Sequence, residues 1–364
     1  MRILHLAKYY WPRSGGMERV VQDLAEGAAA LGHEVSVVAV ESRLGGRVGA
    51  GQRSTITRVF SFGALGSEEI APGYLTAALR RADIIHVHHP HPLADVASLL
   101  RSRRTPLVVT QHQDSRRRPG YALLARAVLR RAAAIVVPSR AHLALSNELD
   151  GFEHKTEVIP FGIDADRWAD VPRRPIDAAP KALFIGRLAR YKGVDVLLRA
   201  LERVPDLRLD IVGAGPEGPR LKTLTQALAL TDRVRFFGEY PDDDLPRRMA
   251  EADFLVLPSV SVEEMFGLVV LEAMAASRPV ITSAVPTGVR EVNVPGETGL
   301  EVPVHDVRSL AEALDALSRD PFLREKMGDA GRQRVEKFFT RQLMAERHVA
   351  LYERVLAYSP ESAK

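Results

Sequence analysis

Residues 181–215 read KALFIGRLARYKGVDVLLRALERVPDLRLDIVGAG, and this stretch decides the fold. Ala182–Ile185 is an apolar run of strand length that stops at Gly186, while Val194–Arg203 carries its apolar residues at helical spacing. Leu207–Val212 is a second apolar run, closed by Gly213-Ala-Gly215. Strand, amphipathic helix and strand in this order predict a parallel β-α-β unit.

The alternation extends outward from there. Downstream come helix Pro219–Ala229, strand Val234–Phe237, helix Leu245–Glu251, strand Phe254–Leu257, helix Leu268–Ala275 and strand Val280–Thr282. Upstream, Asp166–Pro180 (DRWADVPRRPIDAAP) is Pro-rich and charged and reads as a linker. Before it an independent alternation runs from Ile3–Ala7 through helix Met17–Leu31, with Gly32 as its stop, to Glu34–Val40. Ile84–Val87, Leu107–Thr110, Ala134–Val137 and Glu157–Ile159 continue the strands, and Tyr121–Arg131 is a helix among them. The expectation is two α/β domains, residues 1–166 and 181–339, with ligands at the carboxyl ends of the strands and in the cleft that two such units enclose.

Composition agrees with two soluble domains. The chain has 364 residues, 46% hydrophobic and 26% charged, enough for two proper cores. It has no cysteine, which excludes disulfides, thiolate metal sites and cysteine nucleophiles and suits a reducing compartment. Lys8 interrupts the N-terminus before a signal-peptide core forms, and no apolar run reaches the roughly 20 residues that span a bilayer. Residues 1–175 carry 24 Lys and Arg against 17 Asp and Glu, whereas the remainder carries 26 against 29. A basic first half suits an anionic partner.

The segment richest in chemistry is Glu264-Met-Phe-Gly-Leu-Val-Val-Leu-Glu272. It follows the strand Phe254–Leu257 and opens a helix near Gly267, so the backbone N–H groups of Phe266, Gly267 and Leu268 suit a diphosphate. Glu264 can accept hydrogen bonds from sugar hydroxyls. Glu272 intrudes on an apolar face, where the paired hydroxyls of a ribose would satisfy it. A capping glutamate followed by one bonded to a backbone amide would look the same.

In Gly186-Arg-Leu-Ala-Arg-Tyr-Lys-Gly193, Arg187 and Lys192 flank a tight turn at a strand's carboxyl end. Two cations there can neutralise a diphosphate leaving group, and a solvated basic loop is the plain alternative. Ser14-Gly15-Gly16 lets backbone approach a phosphate or sugar, or forms a simple turn. The histidines of His86-Val-His88-His89-Pro-His91 and Thr110-Gln-His112-Gln-Asp114 each follow a strand. They lack the co-ligands of a metal motif, so no metal is expected. His112 with Asp114 is the functional candidate of this group, and His86 suits packing. Arg116-Arg117-Arg118 and the helix Tyr121–Arg131 form a basic amphipathic stretch, either a membrane-facing surface or a solvated face. Sparse aromatic interleaving argues against nucleic acid.

Taken together, these segments resemble the retaining glycosyltransferases of family 4, which have the GT-B fold of two Rossmann-like domains facing across a cleft. The resemblance covers nearly the whole chain. It rests on Gly15-Gly16-Met-Glu-Arg-Val, Ile159-Pro-Phe-Gly-Ile-Asp164, Gly186-Arg-Leu with Lys192-Gly193, and Ile211-Val-Gly-Ala-Gly-Pro216. Phe237-Gly238, the Glu264…Glu272 segment with Glu-Ala-Met-Ala, and Gly296-Glu-Thr-Gly-Leu300 complete it. The resemblance implies that Gly16 approaches the donor, Arg187 and Lys192 hold its diphosphate, and the amides near Gly267-Leu268 hold the β-phosphate. Glu264 then contacts the transferred sugar, Glu272 the ribose, His112 the sugar near the reacting centre, and Phe236–Tyr240 borders the base. Residues 340–358 are expected to be a helix packing back on the first domain. No metal or other cofactor is implied. The sequence departs from the family at Met265, where glycine is usual, and at Val285-Pro-Thr-Gly288, which replaces a Gly-Gly.

His88-His-Pro-His-Pro-Leu-Ala-Asp95 and Gln111-His-Gln-Asp114 most resemble members that build polysaccharides and lipid-linked glycans, often from GDP-mannose. The reading is therefore a cytoplasmic enzyme, peripheral to the inner face of the membrane. It moves a hexosyl group from a nucleotide-diphosphate sugar to a glycan or polyprenyl-linked acceptor. A sugar-nucleotide epimerase of the same fold, a glycosyl phosphorylase and a silent nucleotide-sugar-binding module are the alternatives.

Overall fold

The computed structural model describes residues 1–12, 15–41, 48–50, 53–65, 68–115, 120–176 and 178–358. They form two compact units: residues 1–162 with 341–364, and residues 163–340. Ser14 and Arg116–Arg118 lie outside the described residues.

The first unit is built on an eight-stranded sheet. Its strands are β1 (Arg2–Leu6), β2 (Glu34–Glu41), β3 (Val48–Ala50) and β4 (Thr55–Phe60), then β7 (Ile84–His89), β8 (Leu107–Gln111), β9 (Ala134–Val137) and β10 (Thr156–Val158). Between β4 and β7, the short strands β5 (Ala64–Leu65) and β6 (Glu68–Glu69) pair only with each other. The order is β10-β9-β8-β7-β1-β2-β4-β3, parallel except for β3 on β4. Strand order reverses on either side of β1, which makes the carboxyl ends of β1 and β7 a switch point.

Period-2 alternation sorts the side chains of this sheet onto two faces. Leu4, Leu6, Ile85 and Val87 enter one core cluster; Ile3, Val37, Ile84 and Val108 enter the other. The second cluster also contains Val349, Leu351 and Tyr352 from the helix Arg341–Ala357. The last helix thus supplies one wall of the first unit's core. The helix Tyr121–Arg131 buries Tyr121, Ala125, Val128 and Leu129. Its apolar stripe faces the core, and outward it shows Leu123, Arg126 and Arg130.

The second unit holds β11 (Lys181–Ile185), β12 (Arg208–Val212), β13 (Val234–Gly238), β14 (Phe254–Leu257), β15 (Val280–Ser283) and β16 (Gly299–Val302). All pair in parallel, in the order β13-β12-β11-β14-β15-β16. The reversal falls between β11 and β14, the two strands that lead into the Arg187–Lys192 and Glu264–Gly267 loops.

The expected linker is corrected by this unit. Residues 167–176 and 178–180 pack on it as a strap. Trp168 is fully buried, Arg167 pairs with Asp242 at 2.8 Å, and Arg174 pairs with Asp253. Arg278, buried, donates from Nε to the carbonyl of Ala252 at 2.8 Å and from its guanidinium to that of Pro172. The Pro and Arg content that suggests a flexible tether is used instead for ion pairs and carbonyl capping. Among the described residues, no helix is long and apolar enough to cross a membrane.

Candidate active site

In the second unit the site residues are gathered by backbone stitching between three strand ends. After β11, Gly186 N–H donates to the Val212 carbonyl and Leu188 N–H to that of Ala214. The two segments approach so closely that a Cβ on Gly213 would lie 2.0 Å from the Gly186 carbonyl oxygen. Gly193 has a φ of 64°, and a Cβ there would meet the Pro258 carbonyl oxygen at 2.1 Å. Val260 N–H donates to the Tyr191 carbonyl at 2.7 Å. The Arg187–Lys192 loop is therefore fastened both to the β12 exit and to the β14 exit.

Lys192 and Glu264 are both buried, and the Lys192 ammonium donates to the Glu264 carboxylate. Ser259 Oγ donates to the same Glu264 oxygen at 2.9 Å. A buried carboxylate needs compensation of this kind, and here it is also the means of orienting two candidate residues at once. Arg187 is exposed at the mouth of the same loop. Gly267, with a φ of 74°, precedes the helix Leu268–Ala275, whose first N–H groups have no intrahelical acceptor. Phe266 and Glu272 are buried beside it. Gly288 N–H donates to the Met265 carbonyl at 2.9 Å, so the two positions where the sequence departs from its family pattern touch each other. Arg248 lies 4.4 Å from the Phe237 ring and 5.0 Å from that of Tyr240, holding these aromatics at the end of β13.

In the first unit Gly15 and Gly16 open the helix Gly16–Ala30 after β1, both exposed. His112, just past β8, is nearly enclosed; its ring stacks on Phe161 at 5.2 Å and its backbone N–H donates to the His89 carbonyl. Asp114 accepts from the Gln111 amide at 3.2 Å and from the Ser146 hydroxyl. Both partners hold the loop in place.

Two features are not visible in the motifs. Registry between β1 and β7 places His5 opposite His86, and period-2 alternation puts His88 on the same face. His5, His86 and His88 bring nitrogens within 4.8 Å of one another. All of their ring nitrogens except His5 Nε2 are already engaged: His5 Nδ1 with His88 Nε2 at 3.1 Å, His88 Nδ1 with His112 Nε2 at 3.1 Å, and His86 with the Thr110 hydroxyl at 2.7 Å and the Tyr352 hydroxyl at 2.6 Å. A metal would have to break that set. The other feature is His89, which points to the opposite face and pairs with Asp95 at 3.1 Å, with Glu148 3.7 Å away. Burial pushes its pKa down, but Asp95 first and then Glu148 outweigh this and raise it to about 9. His5 and His112 go the other way, to about 3, through burial.

Comparison with known proteins gives the class to which these two Rossmann-like units, with charged loops at the switch point of the second, belong. Residues 14–167 match Glycosyltransferase Family 4 and residues 166–334 match Glycosyl transferases group 1. The D-rhamnosyltransferase WbpZ of Pseudomonas aeruginosa is 30% identical, over 93% of this chain and 92% of its own. The O-antigen chain mannosyltransferase C of Escherichia coli is 30% identical over 98% and 99%. Among solved structures, the sucrose-phosphate synthase of Thermosynechococcus elongatus superposes with a TM-score of 0.83 at 25% identity, covering 98% of this chain and 100% of its own. The HepE protein of Anabaena, solved with UDP and glucose, gives 0.75 at 20% identity over 96% and 99%, which speaks to the fold alone. The chain belongs to the family 4 glycosyltransferases, and it is a glycosyltransferase of the GT-B type.

Proposed function

We propose that this glycosyltransferase moves a hexosyl group, with retention, from a nucleoside-diphosphate sugar to a glycan or lipid-linked acceptor in polysaccharide or glycolipid synthesis. The observation that carries the reading is the buried Lys192–Glu264 pair on loops stitched together at the switch point, with Arg187 beside it and the helix at Leu268 opening next to Glu264. Cations and helix N–H groups suit the diphosphate, and carboxylates suit hydroxyls. We assign Arg187, Lys192 and the amides of Phe266–Leu268 to the diphosphate, Glu272 to the ribose, Glu264 to the sugar, and Gly15, Gly16, His112 and Asp114 to the donor and sugar from the first unit.

In this reading the acceptor hydroxyl attacks on the face from which the diphosphate departs, and a leaving phosphate oxygen takes its proton. The protein supplies position and charge stabilisation. Relatives named for rhamnosyl, O-antigen mannosyl and phosphatidylinositol mannosyl transfer support a mannosyl-type donor such as GDP-mannose, with a UDP-sugar as the alternative. With the apolar stripe of Tyr121–Arg131 spent on the core, any membrane association at the cytoplasmic face rests on charge from Arg126 and Arg130. Thermal shift against GDP, UDP, ADP and their sugar conjugates tests the donor. At about 100 Kd a ligand stabilises by roughly 2.7 kcal/mol. A shift confined to guanine nucleotides is expected. No shift with any nucleotide sugar would sink the proposal.

A further inference from the structure

Five buried histidines lie on one face of the first unit's sheet: His5, His86, His88, His112 and His348. Of these only His112 has a role in the reaction as described above, yet His88 and His5 continue from it into the core as a line of hydrogen bonds. His112 Nε2 is 3.1 Å from His88 Nδ1, and His88 Nε2 is 3.1 Å from His5 Nδ1. The far end of the line, His5 Nε2, is buried without a partner.

We infer that His88, backed by His5, is a positioning residue that fixes which nitrogen of His112 carries its proton, and so whether His112 Nδ1 meets the sugar as a donor or as an acceptor. The inference rests on the assignment of His112 to the sugar.

A neutral imidazole has one N–H and one bare nitrogen. Burial keeps all three rings neutral near pH 7, His5 and His112 at about 3 and His88 well below its ordinary value. Each of the two hydrogen bonds then needs one N–H facing one bare nitrogen. Only two arrangements of the trio satisfy both bonds, one with every N–H directed toward His5 and one with every N–H directed toward His112. Changing the tautomer of His112 alone would set two N–H groups, or two lone pairs, against each other in a buried site, where an unmade hydrogen bond is costly. His112 has Nε2 committed to His88, so Nδ1 is its remaining nitrogen for a substrate. The tautomer of His112 can thus change only if those of His88 and His5 change with it. His86 is as deeply buried and stacks on His88 at 4.7 Å, but its nitrogens go to Thr110 and Tyr352, outside the line. It is the internal control.

The test is imidazole nitrogen NMR on the full chain labelled with 15N-histidine, alongside steady-state kinetics with the sugar nucleotide. In the native protein His112 should show one pyrrole-type and one pyridine-type nitrogen. In His88→Phe its two nitrogens should move to averaged positions, with kcat falling about tenfold while KM for the donor stays within about twofold. His86→Phe should leave the His112 nitrogens unchanged. Should His88→Phe not fold, His5→Phe removes the far end of the line, and the same averaging is expected there. Averaged His112 nitrogens in the native protein, or a single unchanged tautomer in both variants, would overturn the inference. So would a metal ion bound in the native protein by the nitrogens of His5 and His88. His112→Ala with native turnover would instead overturn the sugar-contact assignment, while the nitrogen spectra still decide the coupling.

Discussion

At the scale of single residues, the pair Lys192–Glu264 and the exposed Arg187 have separable consequences. Arg187→Ala should lower kcat by roughly 10²–10³-fold, as for loss of an oxyanion-stabilising donor, with the melting temperature unchanged because the side chain is exposed. Lys192→Ala should cost comparable activity and also stability, since it strands the buried Glu264 carboxylate. Turnover within twofold of native in both variants would remove the electrostatic account. Arg187, Lys192, Glu264 and Glu272 were legible in the sequence because charged residues beside glycine turns at strand ends stand out from an apolar background. Ser259, which completes the Glu264 partners, was not, because a serine in a loop carries no such signal. Nor was His5, whose place opposite His86 is a matter of strand registry over more than 80 residues of chain.

At the scale of elements, the alternation of apolar runs located most of the parallel strands, because buried parallel strands have little choice of composition, but it passed over the strand Thr55–Phe60 and the helices Pro92–Leu100, Val307–Arg319 and Pro321–Phe338. It failed where a segment's polar content serves packing. The stretch 167–180 looks like a tether, yet Trp168, Arg167 and Arg174 bind it to the second unit. The glycines carry the opposite lesson. Gly193→Ala should destabilise the second unit by more than about 1 kcal/mol, through a strained positive φ and a clash with the Pro258 carbonyl. It should also cut activity by displacing Lys192. Chemical denaturation gives the first quantity, and a native midpoint would refute it. Removal of the helix Arg341–Ala357 takes Val349, Leu351 and Tyr352 from the first unit's core, at about 1.5–3 kcal/mol for each large side chain. Hydrogen exchange should then show lost protection in residues 1–162 and little change in 163–340.

At the scale of the whole molecule, titration divides the two units. The buried histidines all lie in the first. His5 and His112 sit at about 3, and His142 and His348 at about 4, each below the roughly 6.5 of an unfolded chain. A lowered folded value means that the unfolded state binds more protons in acid. The stability these groups contribute is present above pH 6.5 and drains away as pH falls toward 3 and 4. His89, raised to about 9, has the opposite sign; its contribution is complete below about 6.5 and is lost as pH rises through 9. Exchange protection of residues 1–162 should therefore fall between pH 6.5 and 4.5 before that of residues 163–340. The reverse order would refute the neutral histidine core.

Retaining transfer from a sugar nucleotide is read in the configuration of the product. With the donor identified by thermal shift and a glycan acceptor supplied, the anomeric proton of the new linkage is read by NMR at early times. A glycoside with the donor's own anomeric configuration is expected, formed in step with release of the nucleoside diphosphate. An inverted linkage, or an isomerised sugar nucleotide formed without any acceptor, would contradict it.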